Sequence, residues 1–126
     1  HREDLPTYFQ EHPGLKSVVL PTTIQSVAFQ CLPKGVERVD MSCCWKLTLD
    51  DLKYLPKTVK HLNATGCNWL TSLKGLPNLV ALTVRHCKGL PADALKDLPE
   101  TVTSLNISLC PQLDKSYLPA GITVTE

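Results

Sequence analysis

The sequence predicts an α/β solenoid, a stack of short coils that each give one strand to a parallel sheet. A ladder of apolar residues leads into a cysteine and then a leucine four times. The four cysteines are spaced by 23, 20 and 23 residues. A unit of this size cannot bury its apolar side alone, so the copies must stack. The copies are VERVDMSCCWKL (36–47), VKHLNATGCNWL (59–70), LVALTVRHCKGL (79–90) and VTSLNISLCPQL (102–113).

A Leu-Pro step recurs between the ladders and predicts where the chain turns into each strand. Proline fixes φ and lacks a backbone donor, so it suits the corner between two elements. Each unit is therefore predicted to run through a turn, a strand, a corner and a short convex segment. The steps begin at Leu32, Leu55, Leu76, Leu98 and Leu118.

The convex segments are predicted to differ in length. TLDDLKY (48–54) is the strongest helix candidate, with Thr48 as N-cap and Asp51 at the capping-box position. PADALKD (91–97) carries a proline in its first turn, which suits a helix start. TSLKG (71–75) is too short for more than a 3₁₀ turn.

A degraded unit is predicted after the Leu-Pro step at Leu20. Its strand would contain Ile24, Val27 and Phe29. Only 12 residues separate this step from the next, so a tight turn is expected in place of a convex segment. The residues that this strand would display are Ser26, Ala28, Gln30 and Cys31.

Residues 1–23 fit no full repeat and are predicted to form an N-terminal cap over the open end of the stack. Thr7 is the expected N-cap of a short helix, which Pro13-Gly14 would end. An apolar, strand-like run with Val18 at its centre follows. The alternative is that this segment is the tail of a neighbouring domain or a docking element. Residues 24–126 are predicted to be one solenoid domain, which we expect to be a fragment of a longer protein.

Composition argues against several function classes. The chain of 126 residues permits one domain, and its 13 basic and 12 acidic side chains are interspersed. A net charge of +1 gives no field that would attract nucleic acid or an anionic membrane. No apolar run approaches the ~18 residues that span a bilayer, and no secretory leader is recognisable. We therefore expect a soluble protein whose partner is neither nucleic acid nor membrane.

The cysteines are predicted to be buried free thiols rather than a disulfide framework. Cys44, Cys67, Cys87 and Cys110 occupy one corner of successive coils, so they stack at the strand spacing of ~4.8 Å. Disulfides need Cβ atoms ~3.8 Å apart with a defined twist, which such a column does not offer. The thiols act as small apolar side chains with weak donor capacity toward the backbone. This pattern predicts a reducing cytosol.

Metal binding and catalysis are the competing interpretations of this corner. Cys31, Cys43, His61 and His86 could face one open surface, but their spacing lacks the paired geometry of structural zinc sites. A nucleophilic Cys43 with a histidine base would sit on an open sheet rather than in a cleft. No phosphate-binding loop or serine elbow is present in the sequence. We therefore expect no enzyme activity, no metal and no cofactor.

The pattern resembles the cysteine-containing subclass of leucine-rich repeats, with the consensus LxxLxLxxCxxLT, known from F-box substrate-recognition proteins. Residues 24–124 carry the resemblance. CWKLT (44–48) and CNWLT (67–71) match it to the threonine, whereas CKGLP (87–91) and CPQLD (110–114) end differently. The resemblance implies a right-handed leucine-rich-repeat solenoid. Its concave parallel sheet would have about five strands, with short helices, 3₁₀ turns and loops on the convex side.

The Leu-Pro step is similar to that of secreted bacterial effectors of the IpaH and YopM type, as in LPKTVKHL (55–62) and LPETVTSL (98–105). Those effectors carry asparagine at the corner. Both resemblances imply a link to ubiquitin ligation. The expected function is the recognition of a host protein after secretion into the host cytoplasm. The alternatives are an F-box-type substrate adaptor and a structural or autoinhibitory module of a larger enzyme.

The repeat frame predicts which side chains bind the partner protein. The first, fourth, sixth and ninth positions point inward, so the third, fifth, seventh and eighth are displayed on the concave sheet or its rim. The polar row at the fifth position could bond a partner or its own neighbours across strands. The predicted partner-binding residues are Arg38, Asp40, His61, Asn63, Thr83, Arg85, His86 and Asn106.

The two tryptophans lie in the corner that follows the sheet. Trp45 and Trp69 come one and two residues after a ladder cysteine. An exposed tryptophan is an interface anchor, whereas one that packs on the neighbouring coil is structural. The sequence leaves both roles open for each of them.

Overall fold

The computed structural model describes residues 4–126 and confirms the α/β solenoid. Its sheet has six strands in sequence order, one more than the five or so expected, and all neighbours pair in parallel. The strands are β1 (Ser17–Val19), β2 (Arg38–Asp40), β3 (His61–Asn63), β4 (Ala81–Thr83), β5 (Ser104–Asn106) and β6 (Thr123–Thr125).

One short helix precedes the first strand, and short helical segments follow β1, β2, β4 and β5. The α-helices are α1 (Leu5–Glu11) and α2 (Ser26–Phe29), and the 3₁₀ helices are Leu49–Tyr54, Ala94–Asp97 and Lys115–Tyr117. The segment between β3 and β4 makes only turns, which fits its short TSLKG sequence. Within residues 4–126 there is no helix of the length and apolar character that crossing a membrane requires.

The core is a set of columns that run along the solenoid axis. Leu62 pairs with Val39 on one side and with Leu82 on the other, and all three are nearly fully buried. Each such side chain contributes roughly 1.5–3 kcal/mol when it is removed from water. The inward direction of the fourth position therefore fixes the outward direction of the residues on either side of it.

The helix α2 replaces the strand that the sequence predicted after the Leu-Pro step at Leu20. The strand expected around Ile24, Val27 and Phe29 is wrong, because Ser26–Phe29 form the helix α2. Ile24, Ala28 and Phe29 are buried while Val27 is 65% exposed, which is a helical pattern of burial. The set Ser26, Ala28, Gln30 and Cys31 therefore lies on the convex side.

The first strand is instead β1, where the apolar run around Val18 predicted a strand. Ser17 pairs with Arg38 and Val19 pairs with Asp40. The division into a cap over residues 1–23 and repeats over 24–126 stays a prediction, and the sheet begins within the first of these segments.

The first helix begins at a different cap from the one predicted. The side chain of Asp4 accepts a hydrogen bond from the backbone N–H of Thr7 at 2.8 Å, so Asp4 rather than Thr7 is the N-cap of α1. A carboxylate accepts this bond as well as a hydroxyl does, and Pro6 suits the first turn. The helix ends at Glu11, just before Pro13-Gly14, as predicted.

The capping box predicted at Thr48 is present and joins two coils. Asp51 Oδ2 accepts from the backbone N–H of Thr48 at 2.8 Å and from its hydroxyl at 3.3 Å. Asp51 Oδ1 accepts from the Ser26 hydroxyl in α2. Asp51 is buried, so these donors satisfy a carboxylate that would otherwise be costly to bury.

Candidate functional site

The concave surface consists of two rows of side chains, one on each side of the inward column. Residues in a row lie on adjacent strands, at about the strand spacing of 4.8 Å. The third-position row is Ser17, Arg38, His61, Ala81, Ser104 and Thr123. The fifth-position row is Val19, Asp40, Asn63, Thr83, Asn106 and Thr125.

Six of the eight predicted binding residues lie in these rows. Arg38 is adjacent to His61, and Asn63 lies between Asp40 and Thr83. Arg85 and His86 are exposed in the turn after β4, at the end of the sheet rather than over its centre. The structure thus places the predicted residues on one face, with two of them at its rim.

The side chains of Asp40 and Asn63, in the fifth-position row, accept hydrogen bonds from the turn that follows their own strand rather than from a neighbouring strand. Asp40 Oδ1 accepts from the backbone N–H and the hydroxyl of Ser42, at 2.9 and 2.6 Å. Asn63 Oδ1 accepts in the same way from Thr65, at 3.0 and 2.6 Å. Such bonds from residue i to residue i+2 stabilise tight turns. Oδ1 of each side chain is thereby occupied, and the Asn63 amide is oriented with its NH₂ group available to a partner.

The turn at the eighth position has the same backbone conformation in four coils. Cys43, Gly66, His86 and Leu109 have φ values of 57°, 72°, 56° and 62°. This left-handed conformation costs an L-residue roughly 1–2 kcal/mol, and glycine much less. The side chains of Cys43, His86 and Leu109 are exposed there, so the C-terminal rim of the sheet presents them outward.

The cysteine column confirms the prediction of buried free thiols. Each Sγ donates to a carbonyl of the preceding coil: Cys67 to Met41 at 3.2 Å, Cys87 to Ala64 at 3.1 Å and Cys110 to Val84 at 3.0 Å. The Sγ of Cys44 donates to Pro21 O at 3.5 Å. The thiols therefore serve as hydrogen-bonding core residues.

Burial keeps three of these thiols protonated. It raises the pKa of Cys44 and of Cys87 to about 12 and that of Cys67 to about 11. Nucleophilic cysteines need the opposite shift, because the thiolate is the reactive form. Cys43 is the exposed exception and lies in the turn at the rim, on an open face. Among residues 4–126 no three histidine, cysteine or acidic side chains are grouped as metal ligands would be.

The concave surface is a shallow depression rather than a cleft. A cavity of about 280 Å³ lies over β1 to β4, and its lining includes Arg38, His61, Asn63 and Thr83. The outward-facing side chains of the sheet form its floor, and nothing covers it, so it encloses no volume for a small substrate. A flat, open surface of this kind suits contact with another macromolecule.

Three lysines form ion pairs in the described part of the chain, and none of the three lies in the concave rows. Lys53 pairs with Asp50 at 3.1 Å and Lys96 with Asp93 at 2.8 Å, both on the convex side. Lys115 pairs with Glu126 at the C-terminal end. The guanidinium groups of Arg38 and Arg85 have no ion-pair partner in the part of the chain that the structure describes.

The two tryptophans have different roles in the structure. Trp69 Nε1 donates to the carbonyl of Cys44 in the preceding coil at 2.8 Å, so Trp69 joins two corners. Trp45 is 65% exposed, and the Lys46 ammonium lies 5.1 Å from its ring centroid. Trp69 is therefore structural, and Trp45 is an exposed aromatic side chain beside the concave rim, in contact only with Lys46 among the aromatic and cation–π contacts of the described residues.

Two surface residues were missed because the first strand was placed too late in the sequence. Ser17 and Val19 extend the two rows by one coil, and Val19 is 76% exposed. The signal was available: Leu15 and Leu20 match the first and sixth ladder positions, 21 residues before Val36 and Met41.

No family model matches the chain, and no curated protein matches it. A solved structure that is similar is the leucine-rich repeat-containing protein LegL7 from Legionella pneumophila, at 23% identity and a TM-score of 0.59. The alignment covers 85% of this chain and 43% of LegL7, so the chain spans less than half the length of that protein. With the parallel sheet and the stacked ladders, this likeness shows that the chain has a leucine-rich-repeat fold.

Proposed function

We propose that this domain is a non-enzymatic module that recognises another protein through its concave surface. The observation that carries the proposal is an open sheet face with Arg38 on a strand and Arg85 at its rim, both exposed and both without an ion-pair partner among the described residues. Cationic groups on an open face attract a partner and fix its orientation. The proposed contact residues are Arg38, Asp40, His61, Asn63, Thr83, Arg85, His86 and Asn106.

The size of the surface suits a modest protein contact. Six strands at ~4.8 Å span about 24 Å across the sheet. With the exposed rim turns included, the face approaches the ~800 Å² that a partner buries in a standard interface. The partner therefore contacts most of the sheet rather than one pocket.

The finer part of the proposal concerns the setting of this recognition. We propose that the domain recognises a host protein on behalf of a secreted bacterial effector and acts in the reducing cytoplasm of the host. The Leu-Pro steps support this proposal through their similarity to IpaH and YopM repeats, and that similarity also supplies the link to ubiquitin ligation. Buried, protonated and unpaired thiols are compatible with a reducing compartment.

The test is affinity capture from a eukaryotic cell lysate with matched charge reversals. The site variant carries Arg38→Glu and Arg85→Glu. The control variant carries Lys57→Glu and Lys74→Glu, which make the same change in net charge at exposed positions outside the concave rows. We expect a specific protein to be retained by the wild type and the control and lost by the site variant.

The opposite pattern would refute the proposal. Equal capture by all three proteins would show that the concave surface is not the binding site. Loss in the control but not in the site variant would place the contact outside the concave rows. Circular dichroism of each variant checks that the substitutions leave the fold intact.

A further inference from the structure

We infer that the concave surface takes an extended acidic segment of the partner, and that Arg38 and Arg85 hold two of its carboxylates about five residues apart. This inference rests on the proposed function and specifies the chemistry of the partner. It follows from the unpaired arginines, from their separation and from the residue between them.

The two arginines are prepared for carboxylates that the chain itself does not supply. Arg38 and Asp40 lie on the same face of β2, two residues apart, yet they form no ion pair. Asp40 Oδ1 instead accepts two hydrogen bonds from Ser42. The planar guanidinium group binds a carboxylate with two parallel hydrogen bonds, which an ammonium group cannot do.

The separation of the arginines sets the spacing of the acidic residues. Arg38 is at the third position of its coil and Arg85 at the seventh position two coils later. Two strand steps of ~4.8 Å and four residues of ~3.3 Å place them about 16 Å apart along a diagonal of the sheet. An extended chain advances ~3.3 Å per residue, so about five residues of partner span this distance.

Asn63 lies at the middle of that diagonal and offers the matching donor. It is at the fifth position of the intermediate coil, between Asp40 and Thr83. Because Asn63 Oδ1 already accepts from Thr65, the NH₂ group remains to donate to a peptide carbonyl of the segment. Ala81, which pairs with His61 on the same face, has a small side chain and leaves room for the partner's backbone.

The direct test uses synthetic Gly/Ser peptides that each carry two glutamates. In one peptide the glutamates are about five residues apart, and in a second of identical composition they are adjacent. We measure binding by fluorescence anisotropy at low ionic strength. The spaced peptide is expected to bind several-fold more tightly, and Arg38→Gln or Arg85→Gln each to weaken it about fivefold. Lys74→Gln on the convex side, beside the 3₁₀ helix Leu49–Tyr54, is expected to leave the affinity unchanged.

A charge exchange tests the assignment of the two ends. The Arg85→Glu variant should lose the spaced peptide and regain affinity for one of two peptides in which a single glutamate is replaced by lysine. A change that merely disturbed the fold would not be rescued in this way. Equal affinities for the spaced and adjacent peptides, or an equal loss in Lys74→Gln, would overturn the inference.

Failure of this inference is distinguishable from failure of the proposed function. A captured protein that depends on Arg38 and Arg85, together with no binding of the spaced peptide, overturns the acidic-segment inference and leaves concave recognition standing. Capture that is indifferent to the concave substitutions overturns the proposed function itself.

Discussion

Replacing Gly89 with alanine is expected to destabilise the solenoid by about 3 kcal/mol. A Cβ atom at Gly89 would lie 2.4 Å from the carbonyl oxygen of Asn68 and 3.4 Å from that of Leu70, both in the preceding coil. Carbon and oxygen normally approach no closer than ~3.3 Å, so the two coils would have to separate by about 1 Å.

The magnitude follows from what holds the coils together. Hydrogen bonds join them on the sheet side of the clash, including Gly66 N–H to the carbonyl of Arg85 at 2.9 Å and Cys87 Sγ to the carbonyl of Ala64 at 3.1 Å. Overpacking a well-packed site costs typically 1–3 kcal/mol, and the upper end applies because the obstructing atom is backbone. At roughly 4 °C per kcal/mol, the midpoint of thermal unfolding should fall by about 12 °C.

Two other glycines separate crowding from backbone strain. Gly75 has φ of 86° with nothing near its added Cβ, so Gly75→Ala should cost about 1–2 kcal/mol from the left-handed conformation alone. Gly14→Ala meets neither obstacle and should change stability by less than about 0.5 kcal/mol. The assay is urea unfolding followed by circular dichroism. A Gly89→Ala variant as stable as Gly14→Ala would refute the close approach of the coils.

Three further predictions concern buried polar groups. Asp51→Ala should destabilise the protein by about 2 kcal/mol, because it removes the acceptor for Thr48 and the link to α2. Trp69→Phe should cost about 1 kcal/mol through loss of the bond to the preceding coil. The free energy of unfolding should also fall as pH rises from ~9 toward 12, less steeply in Cys87→Ala. Burial raises the pKa of Cys87 to about 12, so the native state retains a proton that the unfolded chain releases.

Each of these predictions has a matched control. The exposed Asp50→Ala and Trp45→Phe variants should each change stability by less than about 0.5 kcal/mol in urea unfolding at neutral pH. If Asp50→Ala cost as much as Asp51→Ala, the capping box would not be the source of the effect. An alkaline loss of stability that is equally steep in Cys87→Ala and in the wild type would contradict the proposed proton linkage.

The ladder was predictable because its physical cause is local and repeated. An apolar residue at a fixed offset must point inward in every coil, so four copies determine the direction of Val39, Leu62, Leu82 and Leu105. The capping box at Thr48 was predictable for the same reason, since its partners lie within one turn of chain.

The secondary structure of the first coil was harder to predict, because its apolar residues fit both a strand and a helix. Ile24, Val27 and Phe29 match a strand frame, while Ile24, Ala28 and Phe29 match a helix. Packing of Phe29 into the core, with Val27 left in solvent, decides for the helix. That outcome depends on neighbouring coils and is invisible in a short window of sequence.

The sequence predicted which side chains lie on the concave surface, but not the hydrogen bonds that those side chains make. The alternation of the strand places Asn63 and Asn106 on the surface, yet it does not reveal that their oxygens accept from Thr65 and Ser108 two residues later. Those bonds depend on the turn conformation, which the sequence marks with glycine only at Gly66.

The thiol bonds of the cysteine column have a consequence for how the protein can change in length. Each ladder cysteine from Cys67 onward bonds a carbonyl of the coil just before it, so the same connection recurs at every step. Duplication or deletion of one unit of 20 or 23 residues would therefore reproduce an existing junction rather than create a new one. The concave surface can lengthen or shorten by one strand, about 4.8 Å, with the same thiol-to-carbonyl bond at the new junction.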